Sequence, residues 1–97
     1  MNYREIKDSE ARLELLKLLA ADKGYAAPAG VLKPALASLG HTTSTAKLDT
    51  ELSWLEEQGL VALSRYGDTV MVRLTARGGD VAEGAAHVPG VAHPRPE

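Results

Sequence analysis

An α+β fold, mostly α-helical, is predicted by three features of this 97-residue chain. Leucines recur at helical spacing in three stretches, two short β-patterned runs face each other across Gly67-Asp68, and a last helical pattern follows Thr75. The length suits one globular domain, which at 44% hydrophobic residues buries about 60 to 65% of its unfolded surface. That domain is expected over residues 1–86, with residues 87–97 an extended or disordered tail, because His87 to Glu97 holds three prolines and no periodicity.

Composition excludes several function classes. Without cysteine there is no disulfide, thiolate metal site or redox couple. No apolar run approaches the roughly 20 residues of a membrane span. Met1 to Asp8 lacks the apolar core of a signal peptide, so a cytoplasmic protein is expected. A net charge of −2 is unusual for a nucleic-acid binder, whose domain is commonly basic, so charge has to be read locally.

The first helix is expected from Asp8 or Ser9, either a good N-cap, to about Ala21, with Gly24 as a stop signal. Its apolar residues, Leu13, Leu15, Leu16, Leu18, Leu19 and Ala20, spread over about 220°, where one core needs a stripe of about 100°. The excess predicts a cover for Leu15 and Leu18. Either a second copy supplies it, making these two a homodimer interface, or the C-terminal segment of the same chain does. Gly24 to Ala27 reads as a one-bridge strand. Pro34 belongs in a first turn, where its missing amide is harmless, so the second helix is expected from Val31 or Leu32 to Leu39, with Gly40 closing it. Leu32, Leu36 and Leu39 then form its inner stripe.

The third helix is the strongest. Ser44 is a favoured N-cap, Leu48, Leu52 and Leu55 recur at i, i+4, i+7, and Gly59 ends the pattern. Leu60 to Arg65 and Thr69 to Thr75 follow as strands, and Gly67-Asp68 suits a two-residue turn with glycine first. Counting back from that turn pairs Leu63 with Val72 and Val61 with Leu74 on an apolar face, and Ala62 with Arg73 and Ser64 with Met71 on the other. Thr75 then caps a short helix through Glu83, whose two glycines each weaken it by about 1 kcal/mol relative to alanine. It should fray unless packed. Three helices, a β-hairpin, a short C-terminal helix and an extended tail make a winged helix-turn-helix, with the third helix as recognition helix and the hairpin as wing.

For DNA, Ser44, Thr45, Lys47, Thr50 and Ser53 are the residues of the third helix that would meet the major groove: hydroxyls bond base edges or phosphates, and lysine meets phosphate or guanine. Ser44 to Gln58 nevertheless carries one lysine against Asp49, Glu51, Glu56 and Glu57, a net of −3. An ordinary solvated helix face would look the same. Arg65 to Arg77 carries three arginines against Asp68, a net of +2. Arg65 and Tyr66 at the hairpin tip, with Arg73 behind them on the solvent face, could reach phosphates or a minor groove, or form a plain charged tip. Trp54 lies off the leucine stripe and is expected to cover the hairpin or a partner subunit rather than stack on a base. Glu56-Glu57 point about 100° apart on a helix, which makes them a solvated end and not an acid and base couple. His41, His87 and His93 lack metal-ligand spacing, and no nucleophile elbow, P-loop, dinucleotide or zinc-protease motif occurs. A noncatalytic protein without metal or cofactor is expected.

Leu55-Glu56-Glu57-Gln58-Gly59-Leu60-Val61 resembles the leucine-rich recognition-helix exit of winged-helix bacterial regulators, and Leu74-Thr75-Ala76-Arg77-Gly78 resembles the step that opens their next helix. With Val88-Pro89-Gly90-Val91 included, the chain is similar to small arsenic-repressor-like winged-helix proteins of Mu-like prophages. The resemblance implies a phage or prophage transcriptional regulator, a homodimer and double-stranded DNA as partner. The metal-sensing cysteines of that family are missing here, and so are basic residues on the recognition face. A protein-interaction adaptor for phage assembly or host takeover is the alternative.

Overall fold

A computed structural model describes residues 1–95; Pro96 and Glu97, the end of the expected tail, lie outside the described residues. Four helices and three strands follow in the order α1 (Tyr3–Ala21), β1 (Ala26–Pro28), α2 (Ala29–Ser38), α3 (Thr45–Glu57), β2 (Val61–Tyr66), β3 (Thr69–Leu74) and α4 (Ala76–Glu83). The strands form one antiparallel sheet in the order β1-β3-β2. α1 lies against α4 and α2, α2 covers β1 and β3, and α3 runs into β2.

α1 begins five or six residues earlier than Asp8 or Ser9. Asn2 is the N-cap, its side chain accepting from the Glu5 amide at 2.9 Å. This extension has no apolar stripe to announce it: Tyr3 to Lys7 are exposed, whereas Leu13, Leu15, Leu16 and Leu19 are in the core. Leu15 is 1% exposed within a single chain, so it offers no surface to a second copy, and Leu18 is partly buried against the same core. The expected dimer contact at Leu15 is therefore corrected: the breadth of the leucine face is used up inside the monomer, which packs α1 from several sides.

β1 pairs with β3 over three residues, Ala26 with Arg73 through Pro28 with Met71. Tyr25, at φ 54, turns the chain into this strand and gives its carbonyl to the Leu74 amide at 2.8 Å. Because the pairing ends at Pro28, α2 starts at once. Pro34 consequently sits in the second turn rather than the first, exposed, where one missing amide bond is tolerable. Leu32 and Leu36 are buried as expected, but Leu39 is the C-cap and 47% exposed.

α3 starts and ends where the sequence places it. Ser44 accepts from the Lys47 amide at 3.0 Å. At the other end the Gly59 amide reaches the Glu56 carbonyl and the Leu60 amide the Leu55 carbonyl, the paired bonds of a Schellman motif. Glu56 is not merely solvated: its carboxylate accepts from the Leu63 amide at 2.8 Å and ties the helix end to β2. The hairpin register matches the expected one pair by pair from Val61–Leu74 to Tyr66–Thr69. Gly67 takes φ 61 while Asp68 stays out of the left-handed region, the conformation in which only the first turn residue needs glycine.

The C-terminal quarter is more tightly held than its composition suggests. A Cβ on Gly78 would lie 2.0 Å from the Leu60 carbonyl oxygen, so the glycine allows α4 to touch the backbone entering β2. Thr75 caps α4 through the Gly78 amide and donates to the Gly59 carbonyl at 2.6 Å. After α4 no helix or strand occurs through residue 95, yet Val88 and Val91 are core residues, and the Ala92 amide donates to the Ser9 carbonyl. The boundary expected at residue 86 thus crosses continuous packing.

Candidate nucleic-acid interface

The α3 and hairpin residues singled out in the sequence fall into three groups. On the side of α3 facing the hairpin, Thr45 and Asp49 lie with Lys33 of α2 and with Arg65 and Asp68 of the hairpin around one depression of about 410 Å³. The sheet order creates it. β3 occupies the centre, so α2 rests on β1 and β3, and the hairpin tip lies beside the start of α3. Arg65 alternates with Leu63 and Val61 on the helix-facing side of β2, which directs it into this depression. Lys33 Nζ donates to Thr45 Oγ1 at 3.0 Å, so a cation and a hydroxyl are held together at the helix start. Neither Lys33 nor Arg65 forms an ion pair among the described residues.

A second group lies further along α3. Thr50, Ser53 and Glu57 line a shallow, exposed depression with Asp49 and Trp54. Thr50 donates to the Ala46 carbonyl at 3.1 Å, leaving its oxygen able to accept. Ser44, as the N-cap, has its hydroxyl oxygen occupied by the Lys47 amide.

The third group is separated from the first two. Arg73 is exposed opposite Ala62 and Ala26, on the face of the sheet away from α3 and Arg65. Tyr66, 69% exposed, alternates onto that same face at the hairpin tip. Lys47 turns toward α1, with Nζ 2.9 Å from Glu51 and 3.3 Å from Asp8. Glu51 raises the pKa of Lys47 most, burial lowers it, and Asp8 adds to the rise; the net shift is upward. The lysine is therefore drawn to the carboxylates on the α1 side of the helix rather than toward the hairpin.

Arg12 completes that network, and nothing in the spacing of the sequence marked it. Its guanidinium pairs with Glu51, donates to the Gly90 carbonyl at 2.9 Å and stacks 4.3 Å over the Trp54 ring. Burial pushes the Glu51 carboxyl up, but hydrogen bonds and charge from Arg12 and Lys47 outweigh it and hold the group below its usual range. Trp54 thus covers Arg12 and the tail around Gly90. A Cβ on Gly90, at φ 98, would lie 2.9 Å from the indole. An arginine on the polar shoulder of a leucine helix, 39 residues from its acid partner, resembles any solvated charge until the tertiary structure joins them.

Among the described residues no three His, Cys, Asp or Glu side chains converge on a metal-sized site, and no helix is long and apolar enough to cross a membrane. His87 and His93 meet edge to face with ring centroids 5.9 Å apart.

The sequence is 38% identical to gp26 of Escherichia phage Mu over 92 residues, covering 95% of each chain. This chain belongs to the phage Mu gp26 family. An uncharacterized protein of Haemophilus influenzae is also 38% identical, over 72 residues that span 74% of this chain and 70% of that one. No family profile matches the sequence, and no solved structure matches it.

Proposed function

We propose that this gp26-family protein is a winged helix that binds double-stranded DNA without catalysis, as a phage regulator of transcription. The observation that carries the reading is the β1-β3-β2 sheet, which sets the Arg65 side of the hairpin beside the start of α3 with Lys33 and Thr45. In a winged helix these are the recognition helix and the wing, and a depression between them accommodates a phosphate strand. Lys33 and Arg65 then neutralise phosphates, and Thr45 with Thr50 and Ser53 offers hydroxyls toward the groove. Arg73, Tyr66 and Lys47 stand outside this contact surface because of the face each occupies. With so few cations engaged, binding is weak and its salt dependence shallow.

A second reading has its own support. Asp49 and Glu57 dominate the outward face of α3, and the one lysine of that helix is held by Asp8 and Glu51. An acidic, hydroxyl-bearing helix suits a protein partner, as in an adaptor for phage assembly or host takeover.

Fluorescence anisotropy with a labelled duplex of about 30 base pairs separates the two. If Lys33 and Arg65 meet phosphates, log affinity falls linearly with log salt at a slope of about −0.9 per contact, and Arg65→Ala removes about one contact from that slope. Absence of binding at low salt would favour the adaptor.

A further inference from the structure

Away from the hairpin, a cleft of about 370 Å³ opens between the first turns of α1, the end of α2 and the loop into α3. It exists because α1 starts at Tyr3 and overhangs the layer below it. Leu15, Leu36 and Leu48 reach it from the core, giving it an apolar floor. Its charged residues are not equivalent. Asp8 and Glu51 are both bonded to Lys47, and Glu51 also to Arg12. Arg4 and Lys7 at the rim have no carboxylate partner among the described residues; Lys7 meets only the Tyr3 ring, 5.6 Å from its centroid. Two cations in the opening turns of a helix also oppose its dipole, which favours anions there. His41 stands in the wall, its Nδ1 buried and without a hydrogen-bond partner among the described residues.

We propose that this cleft is a binding site for a small amphipathic carboxylate, an organic acid with an apolar body and one anionic end. The apolar body covers the leucine floor beside the His41 imidazole in the wall, and the carboxylate lies at the rim between Arg4 and Lys7. The volume falls in the range of pockets that enclose small organic ligands. A cation does not suit the site, since both acidic residues are already neutralised by internal partners. The site shares only the buried Leu48 with the lining of the Lys33, Thr45 and Arg65 surface and none of its charged or hydroxyl groups, so it stands whether or not that surface binds DNA.

The test is NMR titration of the full chain, labelled at leucine methyls and histidine rings, with phenylbutanoate and with phenylbutanol as its uncharged counterpart. Saturable shifts are expected at Leu15, Leu36, Leu48 and His41 with the acid, and about tenfold weaker binding of the alcohol. The double variant Arg4→Ala/Lys7→Ala, confined to exposed positions, should weaken the acid about fivefold to tenfold while leaving the spectrum of the free protein folded. Equal binding of acid and alcohol, an unchanged affinity in the double variant, or no shifts at millimolar acid would each overturn the proposal.

Discussion

The two sides of α3 carry polar residues to opposite ends. Toward α1 and the tail, Glu51, Lys47 and Trp54 are absorbed into a network with Arg12, Asp8 and Gly90 that joins the beginning, middle and end of the chain. Toward the hairpin, Thr45 and Asp49 border an open depression whose cations, Lys33 and Arg65, have no acidic partner among the described residues. A charge count along the helix treats both sides alike. The difference shows that a lysine and a glutamate can belong to the architecture while a neighbouring threonine and aspartate remain available for a ligand.

The comparison is broken most directly at Glu51. Its side chain is 9% exposed, and Glu51→Ala leaves the part-buried Arg12 without its carboxylate partner while Lys47 keeps Asp8, so urea unfolding should show a loss of about 3 kcal/mol. A loss under about 1 kcal/mol would mean the network is no more than a surface ion pair. The next largest effect is expected at the tail. Gly90→Ala forces a side chain toward Trp54 from a left-handed backbone, which should lower stability by about 1 to 3 kcal/mol and release Val88 and Val91 to faster amide exchange.

Acid should weaken the closed side selectively. Because the folded protein holds Glu51 below its ordinary value of 4.5, the unfolded chain takes up that proton first. The stabilisation is complete above that value and disappears as pH falls through the lower folded value; Glu51→Gln should flatten the acid limb of a stability profile measured by denaturant. Lys47 has the reverse sign, present below its ordinary 10.5 and lost as pH rises through the raised folded value. The smallest stability effect belongs to the open side. Asp49→Asn should stay within about 0.5 kcal/mol of the parent, while removing one repulsion from the proposed phosphate contact and strengthening duplex binding in the anisotropy assay. A stability change of the size expected for Glu51 would show that the two sides are not distinct.

Elements with local signals were legible: a serine cap, a leucine repeat and a glycine stop outline α3, and a glycine-first turn sets the register of every pair in the hairpin. The start of α1 was not, because Tyr3 to Lys7 bury nothing and periodicity marks only buried faces. Of the expected contact residues, Thr45 and Arg65 share one depression, whereas Lys47 and Arg73 are turned elsewhere by partners and strand parity that no window of sequence contains.

Composition and spacing by themselves determined the order of elements, the third helix and the hairpin register, since caps, turns and apolar repeats act between residues close along the chain. Only the tertiary structure decided that Gly78 is a contact point rather than a weak helix residue, that Arg12 and Glu51 meet, and that Val88 and Val91 close the core. Those outcomes depend on surfaces brought together from distant positions, where the available space and the loss of water set which side chain is buried and with whom.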